Sequence, residues 1–226
     1  MTALRRALAV LPIGALAAAA AATPAQGAAI KTDACVRYVA GEATMTIIGA
    51  GFTPNGFVSL SAITKTKPTP TVFSSSSLEP NGAFLKSALP PPFSSPKRNL
   101  ETFGLVATDN TNPAAPILAT TTFRVVRFGL TASPAPRRPT SRVTYTARGF
   151  TTGRPVYVHF RFNGATRRTV SLGLAKGPCG IASKRMRALP TKARYGQWTS
   201  YTNQSRRSAR ALPYWKDAFT IFRRFG

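Results

Sequence analysis

The run from Gly49 to Leu60 recurs, with substitutions, as Ala147 to Val158, an offset of 98 that superposes Gly51-Phe52-Thr53 on Gly149-Phe150-Thr151. The same offset lays Pro80-Asn81-Gly82 on Pro178-Cys179-Gly180; Ala88-Leu89-Pro90 matches Ala188-Leu189-Pro190 at 100, and Phe123-Arg124-Val125 matches Phe219-Thr220-Ile221 at 96. Four ordered matches with small drifts at loops are the mark of a duplicated unit, and a chain of 226 residues has room for two units of ordinary size. Hydrophobic residues make up 43% of it, enough for each unit to bury a core.

Within each unit the apolar period is two. Val156, Val158, Phe160 and Phe162 share one face of a strand while Tyr157, His159 and Arg161 share the other. Asn163-Gly164 then turns the chain, and Val170, Leu172 and Leu174 continue the alternation, which predicts a hairpin. Trp198, Phe219 and Ile221 supply later core positions of the second unit. Val58, Leu60, Ala62, Phe84, Phe103, Leu105, Ala107, Phe123 and Val125 supply those of the first. The proline-rich pieces, residues 90–92 and 134–139, are expected between strands, where a missing backbone donor does no harm.

Residues 1–27 are set apart as a signal peptide. Arg5 and Arg6 precede an alanine-rich run from Ala7 to Ala22, and small residues follow through Gly27 and Ala28. The run is short for a membrane span, which needs about 20 strongly apolar residues. The mature chain is thus expected to be secreted or held at the cell surface.

The strand preceding Gly51-Phe52-Thr53-Pro54-Asn55-Gly56 and the alternating strand after it resemble bacterial immunoglobulin-like repeats of exported actinobacterial proteins. The second half, with Gly153-Arg154-Pro155-Val156-Tyr157-Val158-His159-Phe160 and Gly177-Pro178-Cys179-Gly180, looks like a variant of the same repeat. It departs from the pattern at Thr152, where proline is usual. The resemblance implies an all-β protein of two tandem immunoglobulin-like β-sandwich domains, residues 28–128 and 129–226, with the Gly-Phe at the turn between the second and third strands. The shared motif is structural, so it carries over no catalytic or binding residue.

Charge divides the two units. There are 31 Lys and Arg against 6 Asp and Glu. Nine of the bases and five of the acids lie between Lys31 and Arg127, a net of +4, whereas from Arg137 onward 20 bases face Asp217 alone, a net of +19. Either a genome that encodes arginine freely or an anionic partner produces such a balance. The candidate anion-binding residues fall into three groups: Arg137, Arg138, Arg167, Arg168, Lys192 and Arg194 at one end of the second unit, Arg206, Arg207 and Arg210 at the end facing the first, and Arg161 beside Tyr157 between them. The expected partners are an anionic cell-wall polymer or membrane surface, or else another extracellular protein; nothing points to sequence-specific nucleic-acid recognition.

Chemistry has little to work with. His159 is the one histidine, on the outward side of its strand, and the six acids are scattered. No nucleophile elbow, phosphate loop or zinc signature is present, so no catalytic residue, metal or cofactor is expected. A hydrolase with an unrecognised site would have to be built on His159. Cys35 and Cys179 are not equivalent under the repeat, since they align with Ser133 and Asn81. Cys35 is expected where the first strand of unit one ends, and Cys179 in the turn between the fourth and fifth strands of unit two. Three outcomes stay open: a disulfide across the junction, two unpaired thiols, or a covalent dimer.

Overall fold

The computed structural model describes residues 27–39, 43–134, 141–189, 193–194 and 196–221. The expected signal peptide lies outside the described residues but for Gly27. Among the described residues there are fifteen strands and no helix.

The first half contains β1 (Ala29–Thr32), β2 (Cys35–Tyr38), β3 (Met45–Ala50), β4 (Phe57–Ile63), β5 (Thr71–Ser77), β6 (Phe84–Ala88), β7 (Leu100–Asp109) and β8 (Ile117–Arg127). They form two sheets, β1-β3-β6 and β2-β8-β7-β4-β5. The second half contains β9 (Gly129–Ser133), β10 (Arg142–Arg148), β11 (Pro155–Phe162), β12 (Ala165–Leu174), β13 (Ala182–Arg187), β14 (Gly196–Asn203) and β15 (Trp215–Ile221). These too form two sheets, β9-β10-β13 and β12-β11-β14-β15. The first, second and fifth strands thus share one sheet, and the third, fourth, sixth and seventh share the other, the layout of an immunoglobulin-like sandwich. In the first half the opening strand is split: β1 pairs antiparallel with β3, and after Asp33-Ala34 the chain crosses so that β2 pairs parallel with β8.

Each pair of sheets encloses its own core. Ile47, Val58, Leu60, Phe84, Phe103, Leu105 and Phe123 are buried in the first, and Val143, Val156, Val158, Phe160, Leu172 and Trp198 in the second. The period-two pattern read in the sequence selects the core face of β4, β7, β8 and β11, whereas the core residues of β3, β10 and β13, such as Ile47, Val143, Tyr145 and Met186, are not among the positions expected. Leu174, expected in the core, is instead 53% exposed. Two bulges in the β11–β12 pairing, between Val156 and Tyr157 and between Phe160 and Arg161, shift the register, so the alternation expected through Val170, Leu172 and Leu174 breaks after Leu172.

The repeated glycines have a common cause. Gly51 and Gly149 adopt φ of 79° and 80° at the turn between the second and third strands of each sandwich. Gly82 and Gly180, at φ of 72° and 54°, approach that turn closely: the Phe52 N–H donates to Gly82 O at 3.1 Å and the Phe150 N–H to Gly180 O at 3.2 Å. A Cβ at Gly82 would stand 2.1 Å from Phe52 O, and one at Gly180 1.6 Å from Phe150 O. Only glycine lets the two turns meet, so both members of the pair recur together.

Between the halves stands Phe128 alone, since β8 ends at Arg127 and β9 begins at Gly129. Its N–H donates to Tyr38 O at 3.2 Å, its ring lies 4.9 Å from that of Phe150 and 6.4 Å from that of Trp215, and the Arg37 guanidinium sits over it at 5.2 Å. Beside this cluster Cys35, at the start of β2, is joined by a disulfide to Cys179, in the turn between β12 and β13, with their Cα atoms 5.2 Å apart. Among the described residues no helix is long and apolar enough to cross a membrane.

Candidate anion-binding surface

Of the ten basic residues singled out in the sequence, Arg137, Arg138 and Lys192 lie outside the described residues. The other seven do not form one patch. Arg167 is exposed in the second β11–β12 bulge and Arg168 beside it is half-buried. Arg194 is exposed, and its carbonyl accepts the Trp198 indole N–H at 2.9 Å. Arg161 is half-buried over the Tyr201 ring, 5.4 Å from its centroid, and donates to Gly164 O, so its guanidinium is committed within the sheet face. Arg206, Arg207 and Arg210 are exposed together on the loop from β14 to β15.

That loop corrects the expectation for His159. The imidazole stands on the outward side of β11, as the alternation requires, yet it is only 1% exposed because residues 204–214 fold over it. Its Nε2 faces two acceptors, Ser205 O at 2.9 Å and Asn203 Oδ1 at 3.2 Å, which makes Nε2 the protonated nitrogen. Nδ1 then accepts from the Thr169 hydroxyl at 2.9 Å. Asn203, itself fully buried, donates to Ser208 O at 2.7 Å and accepts from the Ser205 N–H at 2.9 Å. Tyr214 closes the far side of the loop against Tyr201, with ring centroids 5.4 Å apart. None of these partners of His159 is a carboxylate, so the constellation anchors a loop and has the wrong groups for a Ser-His-Asp relay. Outside it, Tyr157, Thr169, Ser171 and Arg206 line an open depression of about 220 Å³.

Gln204 ties the base of the loop to the second sandwich's glycine turn, accepting from the Thr151 N–H at 3.1 Å and donating to Thr151 O at 2.7 Å. In the first sandwich the equivalent place is taken by Asp109, whose Oδ2 accepts from the Thr53 N–H at 2.9 Å while Oδ1 accepts the Thr111 N–H at 2.9 Å and the Thr111 hydroxyl. Burial opposes the charge of Asp109, but the hydrogen bonds from Thr111 and Thr53 outweigh it and hold the pKa down to about 2. The second sandwich makes the same backbone connection with a neutral amide.

No family model and no curated protein matches the chain. Solved structures similar to it include trypsin-activated α2-macroglobulin from Escherichia coli, at 15% identity and a TM-score of 0.41 over 86% of this chain and 17% of that one. A tetra-tandem repeat in the extending region of a large adhesion protein is similar at 11% identity and a TM-score of 0.26, over 86% and 49% of the two chains. The periplasmic chaperone SfaE is similar at 12% identity and a TM-score of 0.33, over 76% and 91%. The chain spans less than a fifth of the macroglobulin's length.

A further cationic surface was not singled out from the sequence. On the outer face of β9-β10-β13, Arg142 is directly opposite Arg187, Thr144 opposite Arg185, and Thr146 opposite Ser183. The signal for it is the polar half of the same alternation, Arg142-Thr144-Thr146-Arg148 against Val143-Tyr145-Ala147. It escapes notice because pairing across β10 and β13 joins residues about 40 positions apart. Arg148, at the end of the row, is half-buried and donates to the Thr131 hydroxyl at 2.8 Å. Among the described residues one salt bridge forms, Arg98 to Glu101 in the first sandwich at 3.4 Å, and no group of three His, Cys, Asp or Glu side chains converges as a metal shell would require.

Proposed function

We propose that the protein is an exported, non-catalytic binding module whose second sandwich holds an anionic polymer outside the cytoplasm. One observation carries the reading: the two sandwiches differ by a net of 15 positive charges, and although some equivalent positions run the other way, Arg124 to Thr220 and Thr121 to Asp217 among them, the second sandwich gains cations together on one sheet face. Asp109 gives way to Gln204; and because the strand register keeps the offset of 98 through β6 and β13, setting Ala88 on Met186 and not on Ala188 as the sequence match at 100 does, Thr44, Ser87 and Leu89 give way to Arg142, Arg185 and Arg187. A genome-wide preference for arginine acts on both halves alike and leaves this difference unexplained, whereas recruitment of one half to a polyanion explains both the added cations and the removed acid. The disulfide between Cys35 and Cys179 supports an oxidising compartment, where such bonds persist.

The test is retention of the full mature chain on immobilised dextran sulfate against neutral dextran. Retention is expected on the sulfated matrix alone and should fall steeply as ionic strength rises, because diffuse charge contacts are screened over about 8 Å at physiological salt. Retention that ignores salt, or equal retention on both matrices, would remove the reading.

A second reading, a protein partner for the first sandwich, is favoured by Ile48 and Leu85. They are directly opposite each other on the outer face of β1-β3-β6, at 50% and 69% exposure. Substituting both by Thr should leave polyanion binding intact and abolish only the recovery of a co-purifying protein, if this reading holds.

A further inference from the structure

We infer that the outer face of β9-β10-β13 is the seat for a linear polymer of tetrahedral oxyanions, phosphate or sulfate, gripped by Arg142, Arg185 and Arg187. This rests on the polyanion reading above and names the surface that serves it. All three side chains are exposed. Arg142 and Arg187 are direct cross-strand partners, so their Cβ atoms stand roughly 5 Å apart. Arg185 lies two residues along the same face, about 7 Å away. Like charges placed opposite one another are not what sheet pairing favours by itself. The fold does not demand these cations, because Thr44, Ser87 and Leu89 occupy the equivalent places in the first sandwich with the same strand register. A cluster of exposed cations on this face, where the equivalent positions of the first sandwich are neutral, is explained by an anionic ligand that meets it.

The remaining side chains of the face choose between polymer and membrane. Thr144, Thr146 and Ser183 stand beside the arginines and offer hydroxyl donors to oxyanion oxygens. The row carries no aromatic or aliphatic side chain to enter a lipid layer, in contrast to Ile48 and Leu85 on the matching face of the first sandwich. Three planar guanidiniums at strand spacing suit bidentate contacts to successive charged groups along an extended chain. The exposed arginines of the β14–β15 loop lie over the opposite sheet, so one straight segment of polymer does not meet both sets.

The experiment compares the full mature chain with R142Q/R185Q/R187Q and with R206Q/R207Q/R210Q, using long-chain inorganic polyphosphate, dextran sulfate and vesicles of anionic phospholipid as probes across a salt series. Polymer binding by the first variant should weaken at least tenfold, and its log-affinity against log-salt slope should fall by about 2, the loss of three cations at roughly 0.7 each. The loop variant should keep most of the slope. A preference for polyphosphate or for dextran sulfate supports the shared chemistry and names its source. Equal losses in both variants, or capture by vesicles with the polymers ignored, would overturn the inference while leaving a diffuse polyanion binder standing. Failure of the unaltered protein to bind either polymer would overturn the underlying reading as well. Should the Gln variant not fold, phenylglyoxal footprinting of the unaltered protein decides: polyphosphate must protect Arg142, Arg185 and Arg187 ahead of Arg206, Arg207 and Arg210.

Discussion

Asp109 and Gln204 do the same structural task with different chemistry, and acid separates them. The folded pKa of Asp109, about 2, lies below the usual carboxylate value of 3.8, so its hydrogen bonds stabilise the folded state fully above about pH 4. That contribution, about 2 kcal/mol by linkage, is lost as pH falls through about 2. Gln204 does not titrate. Amide hydrogen exchange between pH 5 and 2 should therefore show the turn at Thr53 loosening while the turn at Thr151 holds, and Asp109→Asn should flatten the difference. Gly180→Ala is expected to destabilise the second sandwich by about 3 kcal/mol or more in a denaturant titration, because its Cβ would be driven into the Phe150 carbonyl. The repeat made these glycines legible in the sequence, since a residue that only glycine can replace keeps its register. His159 was legible only as an outward position. Its burial comes from a loop more than 40 residues on, which no local periodicity records. His159→Ala should cost about 1–3 kcal/mol, the penalty of leaving the Ser205 carbonyl without its donor, and should speed exchange in residues 205–208 while sparing β10.

At the scale of strands and turns, the alternation named the core positions of β4, β7, β8 and β11 but not those of β3, β10 and β13, and the Asn163-Gly164 turn is a two-residue connection between Phe162 and Ala165 with both central φ positive, at 50° and 75°. Asparagine and glycine are the residues that tolerate that geometry, so the hairpin could be read directly. The bulges in β11–β12 and the crossing of the first strand from one sheet to the other could not. Each depends on which residue of a distant strand is opposite, and the sequence carries no register. The exposure of Leu174 is the visible consequence. The disulfide spans a sequence separation of 144 and bridges strand β2 to the β12–β13 turn. In the chain-entropy account, closing a loop of that length stabilises the folded protein by up to about 5 kcal/mol. Cys35→Ser with Cys179→Ser should lower the denaturation midpoint toward that of the reduced wild type, and reductant should then have no further effect on the double variant.

For the whole molecule, the asymmetry of charge was plain in composition, but its partition over surfaces was not. Arg161, one of the candidates, is tied down within its sheet, while Arg142, Arg185 and Arg187 emerge as neighbours only once β10 and β13 pair. The two halves differ in charge and yet are firmly joined, with Phe128, Arg37 and the Cys35–Cys179 bond all crossing the same boundary. Consider a pull applied between Gly27 and Ile221, as flow or an adhering particle would apply to a surface protein. Tension entering at β1 reaches Cys35, leaps through the covalent link to Cys179 and leaves through β13 to β15, so the core of the first sandwich and strands β9 to β12 lie off the path of the load. The oxidised chain can therefore release only the residues outside the link, an extension on the order of 170 Å, whereas the reduced chain can release roughly four times as much at about 3.5 Å per residue. An optical-trap measurement of contour length before and after reductant reads that difference directly, and the bond acts as a stop that limits how far this protein can be stretched.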